Sequence, residues 1–256
     1  MIRKLFLCVV VLVLFSSLFL IQSASAKLVA AWLFDENSGA IAKDSVSSIV
    51  GNIKGGVTWD TGKFKSALKF DGKSGQVDIP DPKNVLTPKN ITITAWVKLN
   101  DVTGIKSIAE QYDWAGAFGT HAFRMDGAQV QLWLIWGAGG DNTEGGAVKA
   151  GEWTHIAGSY DGETARTYIN GKMAAEKTLA KKDLVASSKS LSIGVRGDSK
   201  DVQWMAGSID EVAIYDSALS EADLAKIMGG LGTTMTAVSL QDKMPTVWGG
   251  LKESHK

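Results

Sequence analysis

The chain has 256 residues, with 27 basic and 27 acidic side chains, and therefore carries no formal net charge. This balance gives no reason to expect nucleic acid or an anionic membrane surface as a partner. The single cysteine, Cys8, excludes an intramolecular disulfide, so a large hydrophobic core has to stabilise the fold.

The first 26 residues have the pattern of a secretory signal peptide. Arg3 and Lys4 precede a long apolar run, and Ala24-Ser25-Ala26 places small residues where a signal peptidase reads the chain. We therefore predict cleavage after Ala26 and a protein that is secreted, periplasmic or attached to the cell surface. The apolar run is long for a signal peptide, so an uncleaved membrane anchor is the alternative. No later apolar run is long enough to cross a bilayer, and no membrane association is expected after cleavage.

The rest of the chain is a succession of short alternating segments separated by Gly, Asp and Asn. In ITITAWVKL, residues 91–99, apolar residues alternate with threonine, tryptophan and lysine, which is typical of a half-buried strand. Strands are predicted at 29–34, 67–70, 76–79, 91–99, 107–112, 122–126, 129–136, 153–160, 165–169, 191–195 and 208–215. Many short strands with Asp-Gly and Asn-Gly turns indicate an antiparallel sandwich or barrel. The glycine-rich stretch at 137–146 is predicted to be a flexible loop.

One short helix is predicted near the C-terminus. Ser220 is a suitable N-cap residue, and Asp223 follows it near capping-box spacing. The helix is expected to end at about Met228, because Gly229-Gly230 comes next. Residues 232–256 contain turn formers and a basic end, and they are predicted to form a C-terminal tail.

Several segments identify a family when they are taken in order along the chain: AWLFDE, the FDG of residues 70–72, ITITAWVKL, EWTHIAGSYDGETARTYINGK, SIGVRGD and GSIDEVAIYDSALSEADL. Together they resemble laminin-G-like domains of the concanavalin A-like lectin/glucanase superfamily. The resemblance implies an all-β fold, a two-sheet antiparallel jelly-roll sandwich with one concave sheet and often a calcium ion near the sheet edge. With the short C-terminal helix, such a domain would occupy residues 27–231. The family includes carbohydrate binders and adhesion modules, and related folds include glucanases.

Two adjacent acidic residues, Asp210 and Glu211, lie in the predicted strand at 208–215. Glycoside hydrolysis requires two carboxyl groups at one site, about 5 Å apart in retaining enzymes and wider in inverting ones. Adjacent strand residues point to opposite faces, so Asp210 is expected to share its face with Val212 and Ile214. The spaced carboxylates of the glucanase relatives are absent. The sequence therefore predicts no catalytic residues.

A structural calcium ion (Ca2+) is the candidate cofactor, with Asp35, Asp71 and Asp210 as predicted ligands. A charge at the rim of a core is costly unless it is paired, and calcium accepts carboxylates and backbone carbonyls at strand ends. Asp35 follows the first strand and Asp71 lies in the FDG turn, so both would approach Asp210 if the first and last strands pair. The alternative is that Asp210 caps a turn or accepts backbone N–H groups without an ion.

The nine tryptophans make stacking on a ligand a second possibility for function. The predicted ligand-binding residues are Trp133, Arg124, Trp114 and Trp96. Trp133 and Arg124 each lie between two apolar residues of a strand and are expected to face away from the core. Trp96 lies on the polar face of ITITAWVKL, and Trp114 lies in a loop tip. The alternative is that loops cover these side chains, and this is the preferred interpretation for Trp32, Trp59 and Trp153.

These observations favour an exported, non-catalytic recognition module that binds a carbohydrate. The first alternative is a surface or adhesion module that binds a protein, and the second is a glycoside hydrolase or lyase. Aromatic side chains in an open groove would favour the first function, and a concave sheet covered by loops would favour protein binding. Two carboxyl groups facing each other across a groove would favour the enzyme.

Overall fold

The computed structural model describes residues 26–81, 83–113, 118–136, 139–179, 183–184, 187, 189–197 and 202–235. The predicted signal peptide up to residue 25, the loop tip with Trp114 and the predicted tail from residue 236 lie outside the described residues. Within the described ranges, no helix combines the length and the apolar character that crossing a membrane requires.

The described residues form sixteen strands, one α-helix and a helical turn at 231–235. The strands and the helix are, in chain order, β1 (Leu28–Trp32), β2 (Ile41–Lys43), β3 (Val50–Lys54), β4 (Val57–Thr61), β5 (Ser66–Asp71), β6 (Gln76–Ile79), β7 (Ile91–Leu99), β8 (Ile105–Asp113), β9 (Phe118–Asp126), β10 (Gln129–Trp136), β11 (Gly139–Gly145), β12 (Thr154–Tyr160), β13 (Thr164–Ile169), β14 (Lys172–Thr178), β15 (Leu191–Ile193), β16 (Ala206–Tyr215) and α1 (Glu221–Ile227).

The strands pair into two antiparallel sheets of eight strands each. Sheet A has the spatial order β14-β13-β12-β7-β16-β5-β4, and β1 pairs with β16 outside this path. Sheet B has the order β11-β10-β9-β8-β15-β6-β3-β2. Neighbours in the chain, such as β5 and β6, lie in different sheets, so the chain crosses repeatedly between the two layers. The predicted two-sheet jelly-roll sandwich is confirmed, and the first and last strands pair as expected.

The main core lies between the two sheets and is built from alternate positions of their strands. Ile93 and Val97 of sheet A and Phe123 and Leu132 of sheet B are fully buried in it. Gly158 of β12 allows close approach of the sheets, because a Cβ there would lie 3.1 Å from Leu132 Cβ and 3.2 Å from the Phe123 ring. Burial of each large apolar side chain stabilises the folded state by about 1.5–3 kcal/mol, which explains how the fold can be stable without disulfides.

A β-bulge in β16 determines where its acidic residues point. The pairing of β16 with β7 shifts between Asp210 and Ala213, and Glu211 has a left-handed φ of 46°. The extra residue places Asp210 beside Trp96 on the outer face of sheet A, whereas Val212 belongs to the main core. The expected grouping of Asp210 with the apolar residues that follow it is therefore wrong, because strict alternation ends at a bulge.

The glycine-rich stretch that was predicted to be a loop forms the edge strand β11, paired with β10. A Cβ at Gly140 would lie 2.6 Å from Leu134 O and 2.7 Å from Trp133 Nε1. A Cβ at Gly145 would lie 2.9 Å from the carbonyl oxygen of Ala174 in β14 of the other sheet. These glycines are required by close approach of neighbouring groups, so the loop prediction is wrong for residues 139–145.

Helix α1 packs on the outer face of sheet A. Ser220 is its N-cap, and its hydroxyl accepts a hydrogen bond from the Asp223 N–H at 3.2 Å, as its sequence predicts. Leu224 and Ile227 are buried against outward side chains of sheet A, including Tyr215. The helix therefore covers part of this face.

Glu211 holds the helical turn at 231–235 against the same face. Both of its carboxylate oxygens accept a hydrogen bond from the Leu231 N–H at 3.0 Å. Leu231 is buried, and Met235 packs against the same cluster as α1. The packing against sheet A therefore continues into the first residues of the segment that was predicted to be a tail.

Candidate functional site

The outer face of sheet B carries side chains in two lines that run across the strands. Cross-strand pairing places one line along Asn52, Asp78, Ser192, Glu110, Ala122, Trp133 and Asn142. It places the second line along Ser107, Arg124, Gln131 and Glu144. We call the surface formed by these two lines the B face. Most of its side chains are polar, because alternate positions of the same strands supply the core.

Trp133 is the large aromatic side chain of the B face. It is half-buried and packs against Tyr112, Ala122 and Ile135, a cluster separate from the main core. Its indole lies close to the backbone of β11, where Gly140 leaves room for it. Trp133 therefore faces away from the core, as the alternation in its strand predicts.

Arg124 lies over Trp133 and is held in place by a chain of polar groups. Its guanidinium carbon is 4.7 Å from the centre of the Trp133 ring. Its Nε donates to Gln131 Oε1 at 2.6 Å, and the Gln131 amide donates to Glu144. The Asn142 amide also donates to Glu144, at 3.4 Å. Stacking and these hydrogen bonds fix the plane of the guanidinium before any ligand arrives.

Glu110 is a buried carboxyl group beside this pair. It is fully buried, and its Oε2 accepts a hydrogen bond from the Gly197 N–H at 3.1 Å. Burial raises the pKa of Glu110 to about 7, although the positive charges of Arg124 and Arg196 oppose the shift. A fully buried carboxyl cannot contact a sugar, so Glu110 and Glu144 do not form the pair that glycoside hydrolysis needs.

The structure separates Trp96 from the other predicted ligand-binding residues. Trp96 lies on the outer face of sheet A and is only 5% exposed. The Phe64 ring packs edge-on against it at 6.2 Å, the Lys63 Nζ lies 4.4 Å above its ring, and His155 flanks it at 5.4 Å. Trp96 is therefore a covered packing residue on the opposite side of the sandwich, and the site retains Trp133 and Arg124 from the predicted set. Trp114 lies outside the described residues.

Two of the three aspartates predicted to bind calcium are occupied by protein groups at their own positions. Asp71 accepts hydrogen bonds from the backbone of its own turn, and those from Ser74 and Lys73 lower its pKa to about 2. Asp35 forms an ion pair with Lys65 at 2.5 Å. The Asp71 carboxylate is therefore explained without an ion, whereas Asp35 Oδ1 is buried with no hydrogen-bond partner among the described residues.

The third aspartate, Asp210, is fully buried, and its Oδ2 accepts a hydrogen bond from the Phe64 N–H at 3.0 Å. Asp71 pairs with Ala206, four positions before Asp210 in β16, which separates them by roughly 13 Å at strand spacing. In the described part of the chain, no three His, Cys, Asp or Glu residues form a group that could hold a metal. The three aspartates thus do not fit one common ion. Calcium binding stays a prediction, which melting with and without a chelator tests.

Four polar residues of the B face were not among the predicted site residues: Gln131, Glu144, Asn142 and Glu110. Gln131 lies two residues before Trp133 in the same strand, so alternation along the strand could have identified it as a residue of the same face. Asn142 and Glu144 lie in the stretch that was predicted to be a loop, so their face was undefined. Nothing in the sequence distinguishes Glu110 from a surface carboxylate.

An antiparallel sandwich with an aromatic and charged sheet face is a lectin-like architecture. The family described as the concanavalin A-like lectin/glucanases superfamily matches residues 71–225. The match covers more than half of the chain, and the protein belongs to this family. No curated protein is similar enough in sequence to count as a relative.

Solved structures of other proteins share the fold. Domain 4 of AbnA, a GH43 extracellular arabinanase from Geobacillus stearothermophilus solved in complex with arabinotriose, is 24% identical with a TM-score of 0.63. The similarity covers 79% of this chain and 98% of that domain. At this identity the likeness demonstrates the fold alone.

Binding domains of botulinum neurotoxins also match. The serotype G domain is 14% identical with a TM-score of 0.64, over 78% of this chain and 50% of that one. The neurotoxin DC domain, in complex with SialylT, is 11% identical with a TM-score of 0.62, over 79% of this chain and 51% of that one. The chain thus spans about half the length of these binding domains.

Proposed function

We propose that this protein is an exported, non-catalytic carbohydrate-binding module whose ligand contacts the B face. The observation that carries the proposal is the half-exposed indole of Trp133, which lies outside the core beside the fixed guanidinium of Arg124. A sugar ring offers a flat C–H face to an indole and hydroxyl groups to polar side chains. The proposed contact is therefore stacking on Trp133 with hydrogen bonds to the neighbouring polar groups.

Three further observations support the proposal. Two domains of the same fold were solved with arabinotriose and with SialylT, although an analogy between folds weighs less than a site. Because Glu110 is fully buried, it does not form an accessible acid and base pair with Glu144, which supports binding without catalysis. The signal-peptide pattern of the first 26 residues supports export.

A pair of tryptophan variants tests the proposal in a glycan-array screen of the purified protein. Trp133→Ala removes the stacking surface, and we expect it to weaken binding by about 1–3 kcal/mol, as loss of an interface anchor does. Trp153→Ala is the matched control. Trp153 is also half-buried and also has a cation over its ring, the Lys98 Nζ at 5.2 Å, on the other sheet.

The control variant should bind as tightly as the unchanged protein. Equal loss in both variants, with both still folded by circular dichroism, would place the ligand elsewhere. Binding of no glycan by the unchanged protein would overturn the proposed function itself.

A further inference from the structure

We propose that the glycan bound on the B face is acidic, with a sugar carboxylate that accepts hydrogen bonds from the terminal nitrogens of Arg124. This inference rests on the proposed function and adds the chemical class of the ligand. It predicts a preference for sugars of the uronic acid type over neutral sugars of the same shape.

The first step of the argument is the hydrogen bonding of Arg124. Its side chain donates one hydrogen bond to a described residue, from Nε to Gln131. Within the described ranges, Nη1 and Nη2 have no acceptor, although the residue is only 6% exposed. A guanidinium presents its donors as a planar fork that matches the two oxygens of a carboxylate. Two terminal donors held in a fixed plane therefore form a receptor for such a group.

The second step concerns charge. No described carboxylate forms an ion pair with Arg124, because Glu144 is reached only through Gln131. The charge of Arg124 acts on the Glu110 carboxyl, but burial raises the pKa of Glu110 to about 7, so Glu110 neutralises Arg124 incompletely at neutral pH. A buried charge without a full partner is costly, and an acidic ligand would supply that partner.

The third step is geometric. The Arg124 guanidinium lies over one face of the Trp133 ring, 4.7 Å from its centre, so a sugar that packs against the remaining exposed surface of the indole lies next to the guanidinium. A uronic acid has its carboxylate on the carbon next to the ring, so one residue can stack on the indole and reach Arg124 together. A neutral sugar would gain the stacking contact without the charged one. The preference for acid therefore depends on Arg124, and the stacking depends on Trp133.

The test compares acidic oligosaccharides with the same compounds after reduction of their carboxyl groups. Oligogalacturonate, oligoglucuronate and alginate oligosaccharides are the probes, and calorimetry on the purified protein gives the dissociation constants. We expect at least tenfold tighter binding of at least one acidic form than of its reduced form. Arg124→Gln should abolish that difference and change binding of the reduced form less than threefold.

Further variants separate a specific contact of the Arg124 fork from a diffuse effect of positive charge. Arg124→Lys keeps the charge without the fork and should retain only part of the preference, and it also serves if Arg124→Gln does not fold. Lys177→Gln is the matched control, because Lys177 is an exposed cation at the same edge that pairs with Asp141 at 2.6 Å. It should leave the preference unchanged. Trp133→Ala should weaken binding of both forms, and of the acidic form more, because it also removes the stacking that holds the Arg124 guanidinium.

Three outcomes would overturn the inference. Equal binding of acidic and reduced forms would remove the acid preference and leave the proposed function in place. An equal loss of preference in Lys177→Gln and Arg124→Gln would indicate a diffuse charge effect. If the protein bound none of these oligosaccharides, acidic or reduced, the inference would be contradicted. If it then bound another glycan in the array screen, the proposed function would still hold.

Discussion

The outer faces of the two sheets carry similar side chains but differ in what lies over them. On sheet A, α1 and the turn at 231–235 cover one part, and the segment with Lys63 and Phe64 covers Trp96. On sheet B, the half-buried Trp133 packs in a small cluster of its own. An outward tryptophan is therefore a packing residue on sheet A, where Trp96 is 5% exposed, and a candidate ligand contact on sheet B, where Trp133 is half-buried.

Both faces contain buried polar groups, some of them paired and some unpaired. On sheet A, Trp96 Nε1, His155 Nδ1 and Asp210 Oδ1 are buried with no hydrogen-bond partner among the described residues. On the B face, Arg124, Gln131 and Glu144 form a continuous chain of hydrogen bonds. Ser107 Oγ and Glu110 Oε1 of the B face are likewise buried with no hydrogen-bond partner among the described residues. Unpaired buried polar atoms reduce stability by about 1–3 kcal/mol each, so both faces carry this cost.

The comparison predicts its largest effect for a pair of matched truncations. Trp96→Ala should reduce the free energy of unfolding by about 3–5 kcal/mol, because it leaves a cavity under Phe64. Trp133→Ala should reduce it by about 1 kcal/mol, because the indole is half-exposed and outside the main core. Urea unfolding of both variants measures the difference. Equal losses would mean that Trp133 is a core residue and that the two faces are alike.

The carboxyl groups of both faces predict an unusual dependence of stability on pH. Burial raises the pKa of Asp210, Glu211 and Glu110 to about 7 in the folded state, from 3.8 for Asp and 4.5 for Glu. Between pH 5 and 7 the folded state thus binds more protons than the unfolded state, and the free energy of unfolding should fall as pH rises. The expected loss is on the order of 2 kcal/mol for each carboxyl group.

Urea unfolding at pH 5, 6 and 7 measures this loss, and two variants assign it to a sheet. Asp210→Asn should reduce the pH dependence of the free energy of unfolding by the contribution of Asp210 on sheet A. Glu110→Gln should reduce it by the contribution of Glu110 on sheet B. A free energy of unfolding that rises from pH 5 to 7 would contradict the buried state of these carboxyl groups.

The smallest effect is predicted for the turn at 231–235, which covers part of the outer face of sheet A. Glu211→Ala removes the acceptor of the Leu231 N–H and should cost about 1 kcal/mol, as loss of a helix cap does. Hydrogen exchange of residues 231–235 should become faster, while exchange in β10 should not change. Glu152→Ala is the control, because Glu152 is exposed. Unchanged exchange in the turn would show that apolar packing of Leu231 alone holds it.

Much of the fold could be predicted because local patterns determine it. The alternation in ITITAWVKL corresponds to β7, and the Ser220 cap corresponds to the start of α1. The candidate site could be predicted only in part. Trp133 and Arg124 were found from alternation, but their partners Gln131 and Glu144 depend on the pairing of β10 with β9 and β11.

The sequence by itself determined the all-β class, the family, the direction of most strand side chains and the ends of the helix. These features depend on neighbours a few residues apart, through strand period, capping and turn chemistry. The tertiary structure alone decided that the bulge at Glu211 turns Asp210 outward, that glycines at 139–145 form an edge strand, and that Trp96 is buried while Trp133 is half-buried. Each of these depends on contact between segments distant in the chain, and a local pattern carries no information about which segment will cover a face.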